Sequence, residues 1–151
     1  MDDGTPIPAL TVTLGDGTPL GLADLPTPAV VYFYPKDDTT GCTREAQDFS
    51  ALGEAFAAAG ASVVGISKDS AAGKAKFAAK HALTVTLAAD ESGAVCDAFG
   101  VWGEKAMYGR TYLGIERATF LFGADGRLVR AWRKVKVPGH AQAVLEAVHA
   151  L

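Results

Sequence analysis

Residues 29–49 read AVVYFYPKDDTTGCTREAQDF, and the change of character along this stretch decides the fold. Ala29–Tyr34 is a continuous apolar, β-rich run, the mark of a strand buried on both faces. Pro35 ends it, and a short polar turn follows. Residues 43–58 then read as a helix, with Phe49, Leu52 and Phe56 forming an apolar stripe at helical spacing. Ala57–Ala59 continue the helix and Gly60 stops it.

The same alternation continues in both directions. ASVVGIS at 61–67 is a second buried strand, and Ser70 is the N-cap expected for the helix AAGKAKFAAKH. LTVTLAAD at 83–90 is a third strand, followed by a helical piece around GAVCDAFGV. WGEKAMYGRTYLG at 102–114 reads as a loop rich in glycine and aromatics. ATFLF at 118–122 and RLVRAW at 127–132, joined at Ala124-Asp125-Gly126, form a hairpin. HAQAVLEAVHAL is an amphipathic tail helix with Val144, Leu145 and Val148 on one side. Upstream, residues 1–28 are rich in proline and glycine and read as an extended arm with a small hairpin at Gly15-Asp16-Gly17. The order β, α, β, α, β, α, β, β, α predicts one α/β domain spanning 1–151: a mixed, mostly parallel sheet flanked by helices, with an N-terminal hairpin extension.

The chain has 151 residues, 49% of them hydrophobic and 21% charged, an ordinary globular composition rather than a disordered one. A net charge of −3 gives no reason to expect nucleic acid as a partner. Apolar runs stop far short of the roughly 20 residues needed to span a bilayer, so no membrane association is expected. The N-terminus, MDDGTPIPAL, lacks an apolar leader core. Two cysteines are not a disulfide framework and fit a reducing compartment, so the expected location is cytoplasmic. The basic run RLVRAWRKVK alternates with apolar residues, and a solvated strand face or a protected edge accounts for it.

Cys42 lies at or beside the first turn of the helix after the polar turn. Unpaired N–H groups and the positive end of the helix dipole favour a thiolate there, and a thiolate attacks disulfides or peroxide oxygen. Thr39 brings a hydroxyl back toward the sulfur. Pro35 and Gly41 shape the turn, one as a shield and the other by allowing close backbone approach. Taken alone, these residues leave two readings of Cys42: a reactive thiol, or a small buried hydrophobe. His81, His140 and His149 are too scattered for a metal site, and the latter two read as surface residues. Neither phosphate-binding glycine pattern is present, so no cofactor is expected.

Pro35, Thr39 and Cys42 stand in the spacing PxxxTxxC. VVYFYPKD, GCTREAQDF, VVGISKDS and FGVWGEKAMYGRTYLGIERATFLF follow in order. With these blocks the sequence resembles the peroxiredoxins, specifically the bacterioferritin comigratory protein or peroxiredoxin Q group. The resemblance implies a thioredoxin-like fold and reduction of hydrogen peroxide and organic hydroperoxides. It makes Cys42 the peroxidatic cysteine, oxidised to sulfenic acid, with Thr39 and the Cys42 N–H holding the peroxide and Pro35 shielding it. Arg117 matches the arginine with which the family supports the thiolate and the leaving oxygen, and Glu45 orients it from the same helix face. Trp102 and Tyr108 belong either to the pocket wall or a dimer surface, or simply to local packing.

The chain departs from the family pattern in two places. Thr40 replaces the usual proline before Gly41-Cys42, at little expected chemical cost. The two usual positions of a resolving cysteine are occupied by Gln47 and Ala78. Two possibilities follow: Cys96 resolves Cys42, or an external thiol does so directly, with Cys96 as a helix-packing residue. The implied reductant is thioredoxin, glutaredoxin or a small thiol, and the implied state a monomer or weak homodimer. A thiol-disulfide oxidoreductase and a redox-sensing or chaperone-like protein are the competing readings. The first lacks a second thiol near Cys42, and the second leaves the combination of Pro35, Thr39, Cys42 and Arg117 without a task.

Overall fold

The computed structural model describes all 151 residues. Nine strands and five α-helices succeed one another: β1 (Thr11–Leu14), β2 (Pro19–Gly21), β3 (Ala29–Phe33), α1 (Thr40–Ala51), α2 (Gly53–Ala58), β4 (Ser62–Ser67), α3 (Ala71–Lys80), β5 (Thr86–Ala89), α4 (Ala94–Ala98), β6 (Trp102–Met107), β7 (Arg110–Ile115), β8 (Ala118–Phe122), β9 (Leu128–Trp132) and α5 (His140–His149). Seven strands form one sheet in the order β2-β1-β5-β4-β3-β8-β9. The arrangement is thioredoxin-like, with the N-terminal hairpin β1–β2 added at one edge.

The sheet is mixed as expected, but its parallel part is smaller than the sequence suggested. Only β3–β4 and β4–β5 pair in parallel; β1–β2, β1–β5, β3–β8 and β8–β9 are antiparallel. A helical crossover enforces parallel pairing only where it returns the chain to the neighbouring position, and α1–α2 and α3 are the two that do. No helix is long and apolar enough to cross a membrane.

Strand β3 is buried along its whole length, and its side chains alternate between two cores. Ala29, Val31 and Phe33 join one cluster, with Phe99, Phe120 and Phe122. Val30, Tyr32 and Tyr34 join the other, with Phe49, Phe56, Phe77 and Val144. The N-terminal arm and α4 cover the first face; α1, α2, α3 and α5 cover the second.

Two local expectations are revised. The helix expected over 43–58 begins earlier, at Thr40, and divides at Leu52, which has left helical geometry at ψ 8°. Gly53 opens α2, where low helix propensity lets the chain turn. The expected loop at 102–114 is the hairpin β6–β7, registered from Trp102↔Ile115 to Met107↔Arg110. Tyr108 and Gly109 form its two-residue turn, both at positive φ (53° and 77°), as the twist of a tight hairpin requires. Strand β9 is a sheet edge, carrying exposed Arg130 as edge protection demands. Ser70 caps α3, accepting from the Gly73 N–H at 3.0 Å.

The placement of α1 depends on a close contact across β3 and β4. Tyr32 stands opposite Gly65, and its ring lies where a Gly65 side chain would be. The same ring stacks on Phe49 of α1, centroids 4.5 Å apart. Gly65→Ala therefore displaces the ring from its present stack on Phe49. It is expected to lower the unfolding free energy by roughly 1–3 kcal/mol, read as a lower urea midpoint at unchanged slope; an unchanged midpoint would contradict this packing account.

Candidate active site

The first turn of α1 presents the reactive candidate. Thr39 is the N-cap in extended geometry, but its side chain makes no capping bond. Its hydroxyl instead donates to the Lys36 carbonyl at 2.9 Å. No acceptor takes the N–H groups of Thr40, Gly41 or Cys42, so three donors stand free at the positive end of the helix. Cys42 is the third residue of α1 and is buried.

Arg117 reaches this turn from the residues preceding β8. Its Nη1 donates to Glu45 Oε1 at 2.7 Å, and its Nη2 lies 3.4 Å from Cys42 Sγ. One guanidinium thus holds two groups on the same face of α1, three residues apart. Gly41 makes room for it: a Cβ there would sit 3.2 Å from Arg117 Nη2. Arg117 is itself anchored by its carbonyl, which accepts from the Val135 N–H at 3.0 Å.

Glu45 is only 1% exposed, and its second oxygen, Oε2, has no hydrogen-bond partner. Burial pushes its carboxyl up to about 7, with the Arg117 charge opposing. The Tyr32 hydroxyl is also buried without a partner. Burial, and then the charges of Glu45 and Cys42, raise its ionisation well above the ordinary range, so it stays neutral.

Of the residues singled out in the sequence, Cys42, Glu45, Gly41 and Arg117 meet directly, and Thr39 occupies the N-cap position of the same helix. Pro35 is half-buried and lines a cleft with Lys36, Trp102 and Tyr112. Trp102 packs against the first core cluster and carries Lys68 Nζ 4.0 Å from its ring centre. Tyr108 is 97% exposed at the hairpin tip and takes no part in a pocket wall. His140 is buried, contrary to the surface placement expected from sequence: the first turn of α5 sets it edge-on to Phe49 and Trp132. It shares a 2.7 Å hydrogen bond with Thr119. Burial, and then the Arg117 and Arg130 charges, hold it down at about 4.

Cys96 is fully buried in α4, and its backbone N–H donates to Asp90 Oδ2 at 2.8 Å. Burial, and then Asp90, push its thiol far up. It belongs to the first core cluster and Cys42 to the second, so the sheet lies between them. Both thiols are free. Gln47 on α1 is exposed, and Ala78 on α3 is half-buried.

Sequence reasoning passed over Lys74, which is 1% exposed on α3, and the aspartates around it. The available signal was its position three residues before Phe77, the one large apolar side chain of that helix, which puts both on the inward face.

Comparison with known proteins sets this geometry in context. The AhpC/TSA family matches residues 4–131. Peroxiredoxin Bcp of Xanthomonas campestris pv. campestris is 53% identical over 121 residues, covering 80% of this chain and 76% of that protein. Peroxiredoxin Bcp of Bacillus subtilis is 46% identical over 119 residues, covering 79% and 76%. Among solved structures, the Xanthomonas campestris Bacterioferritin Comigratory Protein, described with alkyl peroxide reduction activity, superposes with a TM-score of 0.90 at 47% identity, covering 99% of this chain and 98% of that one. A cysteine-to-serine mutant of Xylella fastidiosa PrxQ superposes with a TM-score of 0.93 at 40% identity, covering 99% and 96%.

The raised Glu45 carboxyl gives a pH-dependent prediction. The folded protein binds that proton more tightly than the unfolded chain, whose carboxyl titrates near 4.5. The associated stability is therefore complete below pH 4.5 and lost as pH rises through about 7. Glu45→Gln removes this loss, so its unfolding free energy relative to wild type is expected to rise by roughly 1–3 kcal/mol between pH 4.5 and pH 8. Urea titrations at the two pH values measure it; a difference independent of pH would mean that Glu45 ionises normally.

Proposed function

The chain belongs to the AhpC/TSA family, in its bacterioferritin comigratory protein and peroxiredoxin Q branch, and on that premise we propose that its thiol peroxidase activity is carried by Cys42 under the charge of Arg117. Peroxidase activity, a hydroperoxide substrate and a thiol-based reductant belong to the branch. The assignment of roles to residues rests on one observation, the Arg117 guanidinium shared between the Glu45 carboxylate and the Cys42 sulfur.

In this reading the Cys42 thiolate attacks one peroxide oxygen. The S–O bond forms as the O–O bond breaks, leaving Cys42 as sulfenic acid. The departing oxygen takes a proton and leaves as water or an alcohol. Arg117 and the free N–H groups of the first α1 turn stabilise the negative charge as it moves from sulfur to oxygen, without reorganising to do so. Glu45 keeps the guanidinium in place, Gly41 leaves room for it, Thr39 hydrogen-bonds the peroxide and Pro35 shields the site. The alkyl peroxide reduction ascribed to the Xanthomonas campestris relative supports organic hydroperoxides as substrates alongside hydrogen peroxide.

Regeneration proceeds from outside. One thiol attacks the sulfenic acid, releasing water and forming a mixed disulfide, and a second thiol displaces Cys42. The separation of Cys42 and Cys96 by the sheet supports this one-cysteine route, because a disulfide needs Cα atoms within about 7 Å. Thioredoxin, glutaredoxin or a small cytoplasmic thiol supplies the electrons.

Rapid-mixing measurements of hydrogen peroxide and an alkyl hydroperoxide with the reduced protein test this assignment. Cys42→Ser is expected to abolish the reaction. Arg117→Lys is expected to slow it by roughly 100-fold, since an ammonium cannot span Glu45 and the sulfur. Cys96→Ser is expected to stay within about twofold of wild type, both here and in thiol-driven turnover. A Cys42→Ser protein that still consumes peroxide, or a Cys96→Ser protein that no longer turns over, would overturn the corresponding role.

A further inference from the structure

Lys74 is a buried charge that the chemistry above does not use. Its Nζ contacts Asp37 Oδ1 at 2.9 Å and Asp69 Oδ2 at 3.7 Å, and it also bonds the buried Ser67 hydroxyl. The Tyr34 hydroxyl donates to the same Asp37 oxygen at 2.6 Å, and Ser67 donates to Asp69 Oδ2 at 2.7 Å. The other Asp37 oxygen is buried without a partner. An ionic cluster of this kind is weak as a source of stability, because desolvation offsets most of the attraction. What it provides here is a fixed geometry between α3 and the turn that precedes Cys42.

That geometry runs to Thr39 through a single peptide group. The N–H of the Lys36–Asp37 peptide donates to Asp69 Oδ2 at 2.8 Å. The carbonyl of the same peptide accepts the Thr39 hydroxyl at 2.9 Å. A peptide group is planar and stiff, so holding its N–H sets the direction of its carbonyl. A hydroxyl has one proton; once that proton is given to Lys36, the Thr39 oxygen is left as an acceptor for the O–H of a hydroperoxide. Helix α3 holds the next residue as well. Asp38, at a φ of 61°, is bound by Lys80 at 2.6 Å and His81 at 2.7 Å.

We propose that Lys74 is a positioning residue of the peroxide site, holding Asp37 and Asp69 so that the Lys36–Asp37 peptide fixes the Thr39 hydroxyl for substrate. The proposal rests on the reading of Cys42 as the peroxidatic thiol with Thr39 beside it, and deepens that reading.

The test compares two reactions of the same sulfur. Hydrogen peroxide requires the oriented Thr39 hydroxyl; alkylation by iodoacetamide requires only a reactive thiolate. Lys74→Met and Asp69→Ala are expected to lower the peroxide rate constant about tenfold or more while alkylation stays within about twofold. Asp69→Asn retains an oxygen that accepts from the Asp37 N–H, and is expected to restore peroxide reactivity to within about threefold of wild type. If Lys74→Met does not fold, Asp69→Ala decides, because its side chain is partly exposed and its truncation leaves the core intact. Peroxide and alkylation rates falling together, or a lower urea midpoint with an unchanged peroxide rate, would make the cluster structural and overturn the proposal. A wild type that reacts with iodoacetamide but not with peroxide would instead remove the functional reading itself.

Discussion

One guanidinium joins the two groups on which the proposed chemistry depends. Arg117 must satisfy a buried carboxylate and face a sulfur at the same time, and both partners stand on one helix face because Cys42 and Glu45 are three residues apart. The arrangement therefore requires α1 to be set against the sheet in one orientation. Tyr32 provides that setting, filling the space over Gly65 and stacking on Phe49. Gly41 allows the guanidinium its approach, and the chain after β9 returns to hold the Arg117 carbonyl. Burying Glu45 is unfavourable in isolation, which marks the pair as serving orientation more than stability.

The sheet separates the two cysteines. Side chains alternate along β3 between two faces, and the two cysteines fall on opposite ones. Cys42 lies beside a cation at the start of a helix. Cys96 lies in an apolar core with Asp90 close to it. The contrast bears on the competing readings. A thiol-disulfide oxidoreductase needs a second thiol within reach of the first, and here the sheet intervenes. A binding scaffold has no need for an arginine held 3.4 Å from a cysteine sulfur.

Much of this was legible in the sequence, for identifiable reasons. The apolar run at 29–34 has no alternation because both of its faces are covered, so the central strand and the layers around it follow directly. The residues proposed for the site are local, apart from Arg117: Pro35, Thr39, Gly41, Cys42 and Glu45 lie within one strand–turn–helix unit. Arg117 became visible only through the family resemblance, because its partners are more than seventy residues away in sequence. The hairpin β6–β7 escaped notice because neither of its faces is well buried, so its side chains carry no clear period of two, and its turn is Tyr-Gly in place of a commoner pair. The split at Leu52 escaped because the apolar stripe continues across it. Lys74 escaped because a lysine among alanines reads as solvated, and only the tertiary meeting of α3 with the turn at 36–38 reveals Asp37 as its partner.

The most direct test of this account is the mass of the intact protein, under non-reducing conditions, after one equivalent of hydrogen peroxide. A trap for sulfenic acid is included in a parallel sample, and the modified residue is located by peptide mapping. A gain of one oxygen, or a single trap adduct, is expected at Cys42, with Cys96 still reduced. Loss of two hydrogens within one chain, mapped to a Cys42–Cys96 disulfide, would contradict it: the sheet would not keep the two thiols apart during turnover, and resolution would be internal.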